Sequence, residues 1–121
     1  MPISKVLVID DSPTDREYLS GLLSKNGFAV TTAASAEEGI AKVKQVKPDL
    51  VLMDVVMPGQ NGFQATRTLA NDATTKHIPV IICSSKGQET DKVWGMRQGA
   101  RDYIVKPVVQ SDLLAKISAL G

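Results

Sequence analysis

The chain holds one cysteine among 121 residues, so Cys83 cannot close an internal disulfide. That excludes the disulfide-stapled secreted scaffolds and fits a reducing cytoplasm. No apolar run approaches the roughly 18 to 20 residues needed to span a bilayer. The amino terminus meets two aspartates, Asp10 and Asp11, too early to be a secretion signal, and it has no small-residue cleavage site. Charge of one sign is also missing: the formal net charge is +1, so no strong field invites nucleic acid or an anionic membrane. What remains is 43% hydrophobic and 22% charged, an ordinary soluble globular composition. The length suits a single domain with one substantial core.

Short apolar or β-branched runs alternate with stretches of helical spacing. The runs are Val6–Ile9, Ala29–Thr32, Leu50–Met53, Val80–Cys83 and Tyr103–Val105. Ser12 and Pro13 read as an N-cap and first-turn pair, with Tyr18, Leu19, Leu22 and Leu23 following on one face and Gly27 as the stop. "SAEE" from Ser35 reads as a capping box, followed by Ile40, Val43 and Val46, with Pro48 beyond the end. "NGFQATRTLAND", "ETDKVWGMRQG" and "QSDLLAKISALG" supply three more helices. Five strands alternating with five helices predict parallel βαβ units with right-handed crossovers. In such sheets, ligands bind beyond the carboxyl ends of the strands, where strand order reverses.

That is where the chemically unusual residues fall. Asp10 and Asp11 follow the first strand, Asp54 the third, Ser84 the fourth and Lys106 the fifth. Singly, each has a plain structural explanation. A carboxylate favours the start of a helix. Asp54 before "VVMPGQNG" reads as a strand-to-loop transition. Ser84 is an ordinary strand-end residue, and Lys106–Pro107 an ordinary loop breaker. Together they make one constellation at one end of the sheet. Three converging carboxylates repel one another and invite a hard, oxygen-seeking cation such as magnesium. A lysine at the same mouth neutralises an anion, and a phosphoryl group is the natural one beside that cation. Ser84 offers a hydroxyl to a phosphoryl oxygen. A carboxylate can also act as nucleophile toward phosphorus.

The motifs "VIDDS", "LMDVVMPGQNG", "IICSS" and "GARDYIVKP", in this order, span almost the whole sequence. With them the chain resembles the receiver domain of two-component response regulators, in particular stand-alone CheY-like regulators. The resemblance implies a flavodoxin-like doubly wound fold, with strand order 2-1-3-4-5, over a single domain of residues 1–121 without an output domain. It implies Asp54 as phosphoacceptor, and magnesium held by Asp11, Asp10, Asp54 and the backbone carbonyl of Val56. Lys106 would pair with the phosphoryl group, Ser84 would move toward it, and Tyr103 would change rotamer. The Lys106–Pro107 bond would be cis.

The implied partner is a CheA-like histidine kinase in the cytoplasm, with the chain a monomer or weak dimer that contacts neither nucleic acid nor membrane. An output face would carry Lys92, Trp94, Arg97, Arg101 and Tyr103. Trp94 would either anchor a partner or pack against the fold. Cys83 reads as core and His77 as solvated. "GFQATRTL" and "KGQETDKVWGMRQGARDY" are similar to CheY-like regulators of type IV pilus systems, in twitching motility or phototaxis. Two roles stay open: an effector that binds a pilus motor or regulatory component, or a phosphate sink that drains the kinase. A haloacid-dehalogenase-type phosphatase fits poorly, since neither Asp10 nor Asp54 has a second aspartate two residues on.

Overall fold

A computed structural model of the chain describes residues 3–57, 59 and 61–120. Strands and helices alternate along it: β1 (Lys5–Ile9), α1 (Pro13–Lys25), β2 (Ala29–Ala33), α2 (Ala36–Val46), β3 (Leu50–Met53), α3 (Gly62–Asn71), β4 (Val80–Ser84), α4 (Glu89–Arg97), β5 (Asp102–Val105) and α5 (Gln110–Leu120). The five strands form one parallel sheet, as the alternation predicted, in the order β2-β1-β3-β4-β5 that the family resemblance implied. Four strands gain a residue at one end relative to the apolar runs. Lys5 pairs with Ala29, Ala33 with Ile9, Ser84 with Val105 and Asp102 with Ile81, because ladder pairing does not require an apolar side chain.

Alternation of side chains sorts the core into two layers. Val6 and Val8 of β1 join Leu50, Leu52, Ile81 and Cys83 against α1 and α5, through Leu19, Leu23, Leu113 and Ile117. Leu7, Ile9, Val51 and Met53 face the other way, against Val43 of α2 and Ala65 and Leu69 of α3. Covering both faces explains why β1, β3 and β4 are almost wholly apolar, while the edge strand β2 is only partly buried. Each fully buried Leu, Ile or Val contributes about 1.5–3 kcal/mol relative to exposure, so the central strands are the most firmly held part of the molecule. A third cluster, Val55, Ile82, Ala100 and Tyr103, lies under α4.

Helix ends follow local chemistry. Ser12 Oγ accepts from the Asp15 N–H at 3.3 Å, with Pro13 at the first helical position. Ser35 Oγ accepts from the Glu38 N–H at 3.1 Å. Glu38, however, accepts from Ala34 N–H (2.8 Å), one residue before the cap, so the expected box is not reciprocal. Asn61 and Gln64 do form a reciprocal box at α3, at 2.9 and 3.3 Å. Tyr18 departs from the expected buried face: it is half-exposed, and its hydroxyl donates to the Val108 carbonyl at 2.7 Å, bridging α1 to the segment before α5. Gly62 is required by close approach. A Cβ there would lie 1.9 Å from the Asp54 carbonyl oxygen, so glycine lets α3 start directly against the end of β3.

Candidate functional site

Register brings the acidic residues together. Ile9 pairs with Ala33 on one side and Met53 on the other, so Asp10 and Asp54 emerge side by side where strand order reverses. The ladder continues one residue past the strands. Asp10 N–H donates to Ala33 O (3.0 Å), Asp54 N–H to Ile9 O (2.9 Å) and Lys106 N–H to Ser84 O (2.9 Å). Three of the candidate residues are therefore fixed by backbone hydrogen bonds at the rigid edge of the sheet. The Lys106–Pro107 peptide bond is cis.

Carboxylate oxygens of Asp10, Asp11 and Asp54 all lie within 4.8 Å of one another. Asp10 and Asp54 are buried, whereas Asp11 is exposed at the opening. Both Asp10 oxygens are engaged: Oδ1 accepts from the Ser12 N–H (3.0 Å) and Oδ2 from Lys106 Nζ (2.7 Å). Asp54 Oδ1 accepts from the Val56 N–H at 3.3 Å, and its Oδ2 lies 3.8 Å from Lys106 Nζ. Burial pushes the Asp54 carboxyl above its ordinary range, and the Asp10 charge adds to this, with Lys106 opposing. Burial by itself would lower the Lys106 ammonium. Hydrogen bonds to Asp10 and Asp15, with the Asp54 charge, outweigh that and hold it above its ordinary value. A cluster of carboxylate oxygens, two buried and one at the opening, with no nitrogen or sulfur ligand suits a hard divalent cation.

Ser84 and Tyr103 sit beside this cluster and converge on one residue. Ser84, fully buried, accepts from the Lys86 N–H (3.2 Å) through Oγ, and the Tyr103 hydroxyl donates to the Lys86 carbonyl (2.6 Å). Burial also raises the Tyr103 phenol. Tyr103 thus differs from the expected surface position: only 8% of it is exposed, because Gly95 lets α4 close over the ring. A Cβ at Gly95 would fall 2.7 Å from Ile82 Cδ1 and 3.2 Å from Tyr103 Cδ2.

Of the other residues assigned to an output face, Lys92, Trp94 and Arg97 lie on α4 and Arg101 just before β5. Lys92 is partly buried, Arg97 and Arg101 are exposed, and Trp94 is half-exposed with Val93 and Met96. Val56 is exposed beside Asp54, lining a recess of about 350 Å³ with Asp11, Asn61, Phe63 and Lys86. Pro58 and Gln60 of the "MPGQNG" motif lie outside the described residues. Cys83 is buried in the core, its thiol pushed up to about 12 by burial, and His77 is exposed.

Sequence reasoning missed Asp15, whose Oδ2 lies 2.8 Å from Lys106 Nζ. The usable signal was its place three residues after the Ser12 cap, in the turn that faces the strand ends. Gly62 and Gly95 were also missed, since close approach is invisible without the fold.

Comparison with known proteins gives a consistent result. A family model described as the response regulator receiver domain matches residues 6–118. Protein PilH of Pseudomonas aeruginosa is 55% identical over 118 residues, 98% of each chain. The phosphate regulon transcriptional regulatory protein PhoB of Escherichia coli is 34% identical over 116 residues, which are 96% of this chain but 51% of that protein. Among solved structures, Vibrio cholerae chemotaxis protein CheY4 superposes with a TM-score of 0.91 at 29% identity, covering 98% of this chain and 99% of that one. A chain of the CheX–CheY–BeF3–Mg2+ complex of Borrelia burgdorferi gives 0.90 at 28%, covering 97% and 88%. Among the described residues no helix is long and apolar enough to cross a membrane.

Proposed function

The chain belongs to the response regulator receiver family, and from that premise we propose that Asp54 is its phosphoacceptor and that the domain signals by the resulting change of shape. The observation that carries this reading is the convergence of Asp10, Asp11, Asp54 and Lys106 at one mouth. Asp54 is set back, fixed by the backbone, and accepts few hydrogen bonds, which leaves its oxygens free to attack.

In the proposed reaction an Asp54 oxygen forms a bond to phosphorus as the donor's P–N bond breaks, or the P–O bond of a small acyl phosphate. The bonding electrons leave with the donor. Lys106 offsets charge building on the phosphoryl oxygens, and the Ser84 hydroxyl donates to one of them. Asp11, Asp54, the Val56 carbonyl and Asp10, directly or through water, would hold Mg2+, which would supply Lewis-acid offset of the charge that builds during transfer. Asp10, with both oxygens already engaged, suits the water-mediated role. Water attacking the acyl phosphate would reset the domain and release inorganic phosphate. Ser84 and Tyr103 share Lys86, so movement of Ser84 toward a phosphoryl oxygen would shift the β4–α4 loop and the Tyr103 hydrogen bond together.

Similarity to PilH supports a place in a pilus-linked pathway, with a CheA-like histidine kinase as donor. The phosphate-sink role is the alternative. Both are tested by following labelled phosphate from such a kinase. Transfer to wild type but not to Asp54→Asn is expected, and transfer to Asp54→Asn would overturn the assignment. An effector binds an output component more tightly when phosphorylated, whereas a sink only shortens the lifetime of the kinase phosphohistidine.

A further inference from the structure

Lys106 makes two short ion pairs, and neither is with the proposed phosphoacceptor. Its Nζ lies 2.7 Å from Asp10, 2.8 Å from Asp15 and 3.8 Å from Asp54, so two of its three donor hydrogens are committed and Asp54 lies beyond hydrogen-bond reach. The two close partners differ. The Asp10 side chain is 2% exposed and is held a second time by the Ser12 N–H, so losing its cation would strand a buried charge. The Asp15 side chain is 40% exposed and borders a groove of about 350 Å³ lined by Thr14, Tyr18, Leu19, Pro107 and Val108. Released from the lysine, it returns to water at little cost. Its backbone is not free to follow, because the Asp15 N–H is bound to Ser12 Oγ in the first turn of α1.

We propose that Asp15 is a positioning residue: it tethers the Lys106 ammonium to the first turn of α1, and the lysine reaches a phosphoryl group on Asp54 only by leaving it. Asp10 is the permanent partner and Asp15 the exchangeable one. Asp15 therefore competes with the phosphoryl group for one cation and sets how readily the domain accepts and holds it. The inference rests on the phosphoacceptor reading above. It adds a residue that is neither a metal ligand nor in contact with the reacting atoms.

The test is titration of the full chain with beryllofluoride, a phosphoryl mimic, at saturating Mg2+. Asp15→Asn should bind the mimic about two- to fivefold more tightly than wild type, the span of a partly exposed ion pair. Asp15→Glu, which can still reach the lysine, should stay within about twofold of wild type on the same scale. Charge alone would also favour an anion, so the deciding arm is the Lys106→Met background, where Asp15→Asn should change nothing. Equal or weaker binding by Asp15→Asn overturns the tether, as does a gain that persists without Lys106. Should Lys106→Met fail to fold by circular dichroism, Glu17→Gln, exposed on the same helix, takes its place. A gain there equal to that of Asp15→Asn reduces the effect to net charge and overturns the tether, while an unchanged affinity supports it. Wild type that binds no beryllofluoride with Mg2+ sinks the phosphoacceptor reading itself, an outcome distinct from the others.

Discussion

Replacing Asp54 by asparagine should stabilise the fold at neutral pH in the absence of divalent cation. At an effective dielectric of about 20, Lys106 at 3.8 Å attracts the Asp54 charge by about 4 kcal/mol. Asp10, with carboxylate oxygens no more than 4.8 Å away, repels it by at least about 3.5 kcal/mol. These nearly cancel. What is left is the desolvation of a buried carboxylate held by weak backbone hydrogen bonds from Val55 and Val56. On the scale of about 1–3 kcal/mol for a buried polar group short of partners, the isosteric neutral amide should recover about 1 kcal/mol. For a domain of this size that raises Tm by about 3–5 °C. The sign with pH follows from the raised carboxyl. Ionising Asp54 costs stability above its ordinary 3.8, so the advantage of the variant grows as pH rises from that value through the raised folded one and shrinks as pH falls toward it. Thermal melts of both proteins, in EDTA at several pH values, make the measurement. Added Mg2+ should erase or reverse the gap by binding the wild-type cluster alone or more tightly. A variant that melts at or below wild type at pH 7 in EDTA, or a gap that does not change with pH, would refute the reasoning.

Lys106→Ala strands the buried Asp10 carboxylate and should cost about 3 kcal/mol by urea unfolding, with millimolar Mg2+ restoring part of it; an unchanged midpoint would contradict the pairing. Gly62→Ala places a methyl group 1.9 Å from backbone that cannot yield, so it should cost at least about 2 kcal/mol and weaken beryllofluoride binding together. Gly95→Ala meets only side chains, Ile82 and Tyr103, and should cost about 1–2 kcal/mol while leaving Mg2+ affinity unchanged. The Cys83 thiol should resist a disulfide reagent in native buffer and react on unfolding; rapid native labelling would put it outside the core.

The parallel sheet was legible because hydrophobic pattern and turn chemistry agree along most of the chain, whereas its strand order came from the family resemblance. Continuous apolar runs at Val6–Ile9, Leu50–Met53 and Val80–Cys83 can only be covered on both faces, and that demands helices between them. Asp10 and Asp54 were legible for the same reason, since each is the first polar residue beyond a buried strand, and Lys106 follows the half-buried edge strand β5. Other features depend on distances between elements. Asp15 looks like an ordinary first-turn acid until β5 brings Lys106 to 2.8 Å. Tyr103 was assigned to the output face by the family resemblance, and only the missing side chain at Gly95, eight residues earlier, shows that α4 covers this edge-strand residue. Helix α4 itself was identified from its flanking glycine rather than from a stripe, and it buries only Gly95.

The most direct test of the central claim is intact-mass spectrometry after incubation with acetyl phosphate, with and without Mg2+, on wild type and Asp54→Asn. A single phosphoryl adduct on wild type, dependent on Mg2+ and absent from Asp54→Asn, is the predicted result. An adduct of equal extent on Asp54→Asn, or none on wild type under any condition, would contradict it.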